Sequence, residues 1–240
     1  MNRMNSRKQR FYFLILLVLF SGCAQNGEQN SGMQYFKLDG LNRLVQTTDT
    51  NPPAVYIYPM LTKEAQLAAA PECGLGTLED FSAAARLYLR HFEISGDTAS
   101  RQQARKLLQT VLFCQKPDGL FFNWIAADGR PALCNNDQAG QFGYPEVHAL
   151  WALAVGVKNF EQHDPAFAQK LHVAFWQSFT HVDSCLRHYE EFYEQAGMKF
   201  PAWLPFRSSA DAASQLVLAG AALAPSALNN GQQSQRLETA

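Results

Sequence analysis

The side chains best suited to do chemistry in this chain are carboxylates. Asp80, Glu146 and Asp211 recur at intervals of 66 and 65 residues, and Asp137 falls in an Asn/Gln/Gly stretch just ahead of Glu146. Paired carboxyl groups act as general acid and base: one protonates a leaving oxygen while the other activates water or attacks carbon. If the protein is active, Asp80 and Glu146 are the pair expected to fill those roles, with Asp137 and Asp211 as ligand contacts. Phe121, Phe122, Trp124, Phe142 and Tyr144 cluster in the same region. An aromatic ring offers apolar area with a polar edge, so Trp124 and Phe122 are expected to stack on a bound molecule. Side chains alternate along a strand, which would send about half of Phe121 to Ile125 into the core. An acid at a helix N-terminus also stabilises the helix by about 0.5–2 kcal/mol without any further role.

Helices must position these groups. Thr77-Leu78-Glu79-Asp80 resembles a capping box with Asp for Glu, and Phe81, Ala84, Ala85, Tyr88 and Phe92 follow at helical spacing. Gly96 ends that helix, and Asp97 or Thr98 caps a second, which runs through Leu107, Leu108 and Val111 to Gln115 before Lys116-Pro117-Asp118-Gly119. The plan recurs after a central loop bracketed by Cys114 and Cys134. Tyr144-Pro145-Glu146 opens a third helix and Asp164-Pro165 a fourth, whose pattern reaches Gly197 with a break expected near His181 to Asp183. Ser209-Ala210-Asp211 leads into a fifth, Ala212 to Leu223. Ala54 to Tyr58 reads as one short strand or an extended arm.

The expected fold is therefore all-α: antiparallel helical hairpins repeating about every 65 residues, with a short extended element at their N-terminal side. Alternate helices would point the same way and bring Asp80, Glu146 and Asp211 to one rim. The hairpin domain is placed at residues 33–224. Residues 225–240, a polar stretch with no helical face, are expected to be a disordered tail.

Three segments carry a resemblance to a known family. Leu78-Glu79-Asp80 through Ala83-Ala84-Ala85-Arg86, then Asp118-Gly119-Leu120-Phe121-Phe122-Asn123-Trp124-Ile125, then His148-Ala149-Leu150-Trp151-Ala152-Leu153 resemble the recurring motifs of six-hairpin glycosidase-like proteins. The similarity covers about Val55 to Leu223. Glu79-Asp80 stands where the family has two aspartates and His148 where it has arginine, so the resemblance implies His148 as a ligand contact of altered chemistry. The resemblance implies an α/α-toroid that binds or processes glycans, as a glycoside hydrolase if it is active. With two hairpins and the start of a third, the toroid would be incomplete, open, or closed by a second copy or a partner chain. The alternative is a non-catalytic scaffold lipoprotein or the remnant of a longer toroid enzyme.

The first residues suggest the compartment. Arg3, Arg7, Lys8 and Arg10 precede the apolar run Phe11 to Phe20, which is too short to span a bilayer as a helix. Leu19-Phe20-Ser21-Gly22-Cys23 resembles a bacterial lipobox. Residues 1–22 are thus expected to be a lipoprotein signal peptide, with Cys23 carrying acyl chains such as palmitate and residues 23–32 forming a flexible tether. The protein would face the periplasm or the cell exterior from a membrane. Without residues 1–22 the chain has 16 basic and 21 acidic side chains, about −5 in charge, which argues against a nucleic-acid partner.

Four further cysteines, Cys73, Cys114, Cys134 and Cys185, permit two disulfides in an oxidising compartment. A Cys114–Cys134 bridge would clasp the central loop, leaving Cys73 for Cys185; four buried thiols are the alternative. His181, Cys185 and His188 lie at i, i+4 and i+7, but no fourth ligand accompanies them, so no metal is expected. No phosphate loop, nucleophile elbow or HExxH helix is present, and no cofactor is expected.

Overall fold

Local capping chemistry starts most of the helices in the computed structural model, which describes residues 37–49, 55–57, 60–61, 67–68, 74–134, 142–203 and 210–239. The first elements are short. Helix α1 (Asp39–Leu44) runs into β1 (Val45–Thr47), which pairs antiparallel with β2 (Val55–Ile57) in the register Gln46 to Tyr56. The expected lone strand therefore has a partner. A second small pair follows, β3 (Met60–Leu61) with β4 (Leu67–Ala68). The Val55 N–H donates to Thr110 Oγ1 at 2.9 Å, which ties β2 to the helices behind it.

Strand β5 (Gly76–Thr77) leads directly into α2 (Leu78–Ser95). Thr77 is the cap: its Oγ1 accepts from the Asp80 N–H at 3.1 Å and donates to Asp80 Oδ2 at 2.7 Å. Gly96 ends the helix at φ +70°, a conformation that favours glycine, with its N–H on the Phe92 carbonyl. Asp97 then caps α3 (Thr98–Phe113), accepting from the N–H groups of Ala99 and Ser100. A two-residue link of this kind folds α2 and α3 back on each other.

The central loop is a small sheet. Strand β6 (Trp124–Ile125) lies between β5 and β7 (Pro131–Ala132), antiparallel to both. Gly119 precedes it at φ +90°, where an added Cβ would stand 2.6 Å from the Gln177 carbonyl oxygen, so the turn packs directly on the helix carrying Gln177.

Helix α4 (Tyr144–Phe160) is apolar nearly all round and lies at the centre of the core, with Val147, Leu150, Leu153 and Val157 fully buried. Helix α5 (Pro165–Leu186) is capped by Asp164, which accepts from the Phe167 N–H and is held by Arg105 of α3. The helix runs past the expected break. The rest of the pattern to Gly197 is instead a hairpin, β8 (Phe192–Gln195) with β9 (Met198–Pro201). Its two-residue turn has Ala196 at φ +52° and Gly197 at φ +77°, the primed geometry that tight hairpins require. Helix α6 (Ala210–Leu223) is the fifth expected helix.

The expected disordered tail is corrected: Gly231–Thr239 forms α7. Leu228 and Leu237 pack against the core, Asn229 donates to the Leu223 carbonyl, and Arg236 pairs with Asp183 of α5 while lying over Trp176 and Phe179. Leu237 and Arg236, with Leu228 just ahead of the helix, dock it where the rest of its sequence is polar.

Helices α2, α4 and α6 pack side by side, with α3 behind α2 and α5 behind α4. The three run parallel. Arg86 and Glu93 of α2 meet His148 and Asn159 of α4 in the same order along the axis, and Tyr144 and Glu161 meet Asp211 and Ser226 likewise. These cross-repeat bonds span 62 to 67 residues, the hydrogen-bonded form of the repeat. The architecture is mostly helical with several small antiparallel sheets, rather than all-α.

Both expected disulfides are corrected as well. Cys114 and Cys185 are free thiols, while Cys134 is disulfide-bonded. Cys114 sits fully buried at the end of α3, where burial pushes its thiol pKa up to about 12. Cys73 and Cys23 lie outside the described residues.

Candidate functional site

Tyr144, His148 and Trp151 stand at i, i+4 and i+7 on α4, one face of the helix. Arg86 reaches over that face from α2. Its guanidinium carbon is 3.7 Å from the centre of the Trp151 ring, and its Nη2 lies 3.4 Å from Nδ1 of His148. Asp211 and Gln215 approach from α6. The Tyr144 hydroxyl donates to Asp211 Oδ2 at 2.5 Å, and Gln215 Nε2 donates to both the Tyr144 hydroxyl and Asp211 Oδ1 at 3.3 Å. The Tyr144 ring meets His148 edge-on, 4.6 Å between centres.

The charges in this cluster differ in environment. Burial lowers the Arg86 pKa to about 10, against an opposing contribution from Tyr144. His148 is lowered to about 4, first by burial and then by the Arg86 charge, with Asp211 opposing. Its ring is therefore neutral at pH 7. Because a guanidinium can only donate, Nδ1 of His148 accepts and the ring proton sits on Nε2. The exposed Asp211 carboxylate is held below the usual range by the bonds from Tyr144 and Gln215, and the same bond to Asp211 raises the Tyr144 phenol.

Three polar atoms here are closed off from solvent and have no hydrogen-bond partner among the described residues: Arg86 Nη1, His148 Nε2 and Gln215 Oε1. The first two are donors and the third is an acceptor. Leaving a buried polar atom unpaired costs about 1–3 kcal/mol, so three in one cluster call for an explanation beyond folding.

The expected site residues separate into two groups. His148 and Asp211 belong to the cluster. Asp80 and Glu146 are helix caps: Asp80 bonds to Thr77, and Glu146, 4% exposed, accepts from the Gly143 N–H at 3.0 Å. Burial raises the Glu146 pKa, with backbone donors opposing. No hydrogen bond between described residues joins either acid to the other or to the cluster. Trp124 and Phe122 are half-buried, Trp124 in the middle strand of the small sheet and Phe122 under the Lys116 ammonium. Asp137 lies outside the described residues.

Sequence reasoning missed Arg86 and Gln215 as site residues and used Trp151 only as a motif letter. The signal was the repeat interval itself, since Arg86 and His148 are 62 positions apart on neighbouring parallel helices. His181 and His188 do not converge: His181 Nε2 lies 2.8 Å from the Asp118 carbonyl and His188 pairs with Glu191. Among the described residues no group of His, Cys, Asp and Glu could hold a metal ion, and no helix is long and apolar enough to cross a membrane. The chain matches no protein-family model and no curated protein.

Proposed function

We propose that this chain is a lipid-anchored glycan-binding protein whose row of hairpins forms an open segment of an α/α-toroid. The sugar would sit over Arg86, Tyr144, His148, Trp151, Asp211 and Gln215. One observation carries the reading: side chains on three parallel helices converge on one patch and leave two donors and an acceptor unpaired. A sugar hydroxyl both donates and accepts, so a polyol can engage such a mixed set beside an aromatic ring. The parallel row α2, α4, α6 backed by α3 and α5 supports the toroid segment. The lipobox at Cys23 supports anchoring to a bacterial membrane, with the domain in the periplasm or outside the cell.

Binding is favoured over hydrolysis because Glu146 is buried as a helix cap and Asp80 bonds back to Thr77. The hydrolytic version keeps those two acids as its catalytic pair. A mass-spectrometric screen of the full chain in detergent against an oligosaccharide panel separates the versions. Retained intact glycan that is lost in folded Trp151→Ala and Asp211→Asn proteins supports binding. New shorter products that vanish in Asp80→Asn or Glu146→Gln would establish a hydrolase instead.

A scaffold role is the second reading. Val217 and Leu218 on α6, the last helix of the row, are 66% and 47% exposed. An apolar edge of this kind fits a partner chain or second copy that extends the row. Sedimentation showing a monomer at micromolar concentration would count against it.

A further inference from the structure

We infer that the sugar taken by this site is acidic, its carboxylate accepting from Arg86 Nη1 and His148 Nε2 once the groups that cover these atoms move aside. The inference rests on the glycan-binding reading and adds the class of sugar. Among the ion pairs of the described residues, none includes Arg86. It is nevertheless half-buried, with one face on Trp151 and Nη2 toward a neutral His148. A cation taken out of water normally acquires a counter-ion, because its lost hydration is otherwise unreplaced. Arg86 Nη1, without a partner among the described residues, is the donor an anionic ligand would engage.

The facing charges give the ligand a direction. Asp211 acts on His148 and Tyr144, and Glu79 acts on Tyr144, while Arg86 feels Tyr144 and lies against His148. Positive charge thus enters the cluster from Arg86, two turns into α2, and negative charge from Glu79 and Asp211 in the first turns of α2 and α6. A carboxylate fits over Arg86 and the His148 Nε2 proton, where a guanidinium and an N–H donate together. Hydroxyls of the same sugar fit at the α6 end, against Asp211 and Gln215 Oε1.

Calorimetric titration of the full chain in detergent tests this with three ligands: an oligouronide, the same oligomer with its carboxyl groups reduced to alcohols, and a sulfated neutral oligosaccharide. The oligouronide is expected to bind at least about tenfold tighter than its reduced form, the scale of one charge-assisted hydrogen bond. Arg86→Gln should erase that preference, and Arg86→Lys should keep part of it. Equal affinity for the acidic and reduced oligomers overturns the inference and leaves glycan binding standing. Preference for the sulfated ligand over the oligouronide overturns the carboxylate assignment. No binding of any glycan by folded wild-type protein overturns both. If Arg86→Gln does not fold, the wild-type preference between the acidic and reduced oligomers decides.

Discussion

The Tyr144 hydroxyl donates to the Asp211 carboxylate across 2.5 Å although the residues lie 67 positions apart. This bond joins the first turns of α4 and α6 and places a carboxylate where it acts on His148. It also couples two titrations. The Asp211 pKa is lowered, so its contribution to stability is present above the ordinary aspartate pKa and is lost as pH falls through the folded value. The Tyr144 pKa is raised, so its contribution is present below the ordinary tyrosine pKa and is lost as pH rises through the folded value. In Asp211→Asn the Tyr144 phenol should titrate at lower pH than in wild type. Ring-carbon NMR of labelled tyrosine measures this, and an unmoved titration would show that the bond does not persist in solution.

His148 should make the protein acid-sensitive. Its folded pKa is lowered from 6.5 to about 4, so the unfolded chain takes up a proton first as pH falls. Stability contributed above pH 6.5 is lost progressively down to about pH 4. The expected loss is about 1–2 kcal/mol, roughly half the full linkage value because the ring is half exposed. Urea unfolding of wild type and His148→Gln at pH 7 and pH 4.5 should show a smaller pH effect in the variant. Equal pH effects would mean the ring protonates freely in the folded state.

Arg86 should behave as a functional rather than a structural cation. An apolar side chain of similar length avoids the buried charge, so Arg86→Met is expected to be neutral or stabilising by up to about 2 kcal/mol. Arg86→Lys keeps the charge and loses the flat stack on Trp151, and should destabilise by about 1 kcal/mol. Thermal unfolding of both variants decides this. A strongly destabilised methionine variant would assign Arg86 to the fold.

The cysteines make a chemical prediction. Alkylation without reductant should label Cys185 slowly in native protein and Cys114 only after denaturation, because burial of Cys114 keeps its thiol protonated and shielded. The Cys134 peptide should stay unlabelled until reduction. Cys134→Ser should cost about 2–4 kcal/mol in urea unfolding. Native labelling of Cys134 would contradict the bridge.

Elements governed by neighbouring residues were legible in the sequence. Thr77 and Asp164 cap α2 and α5 as expected, and Asp97 rather than Thr98 caps α3, because a cap is chemistry between positions two or three apart. Glu146 was read as a helix start, but the depth of α4 in the core decided that its carboxylate is a cap. The β8–β9 hairpin was hidden by an apolar pattern continuing from α5 and by a turn, Ala196-Gly197, without the usual Asn or Asp. Disulfide pairing could not be read, since spacing in the chain does not determine distance in space. Arg86 and Gln215 became visible only once the helices were laid side by side, where positions about one repeat apart meet.

The parallel row has a consequence for how the chain is made. Its polar links, Glu93 to Asn159, Tyr144 to Asp211 and Glu161 to Ser226, each close a loop of 65 to 67 residues. During synthesis the first hairpin therefore emerges with its lateral partners still untranslated, and α4, apolar on nearly every side, waits for α6 before one flank is covered. The nascent segment between those two moments is the one for which a chaperone would compete.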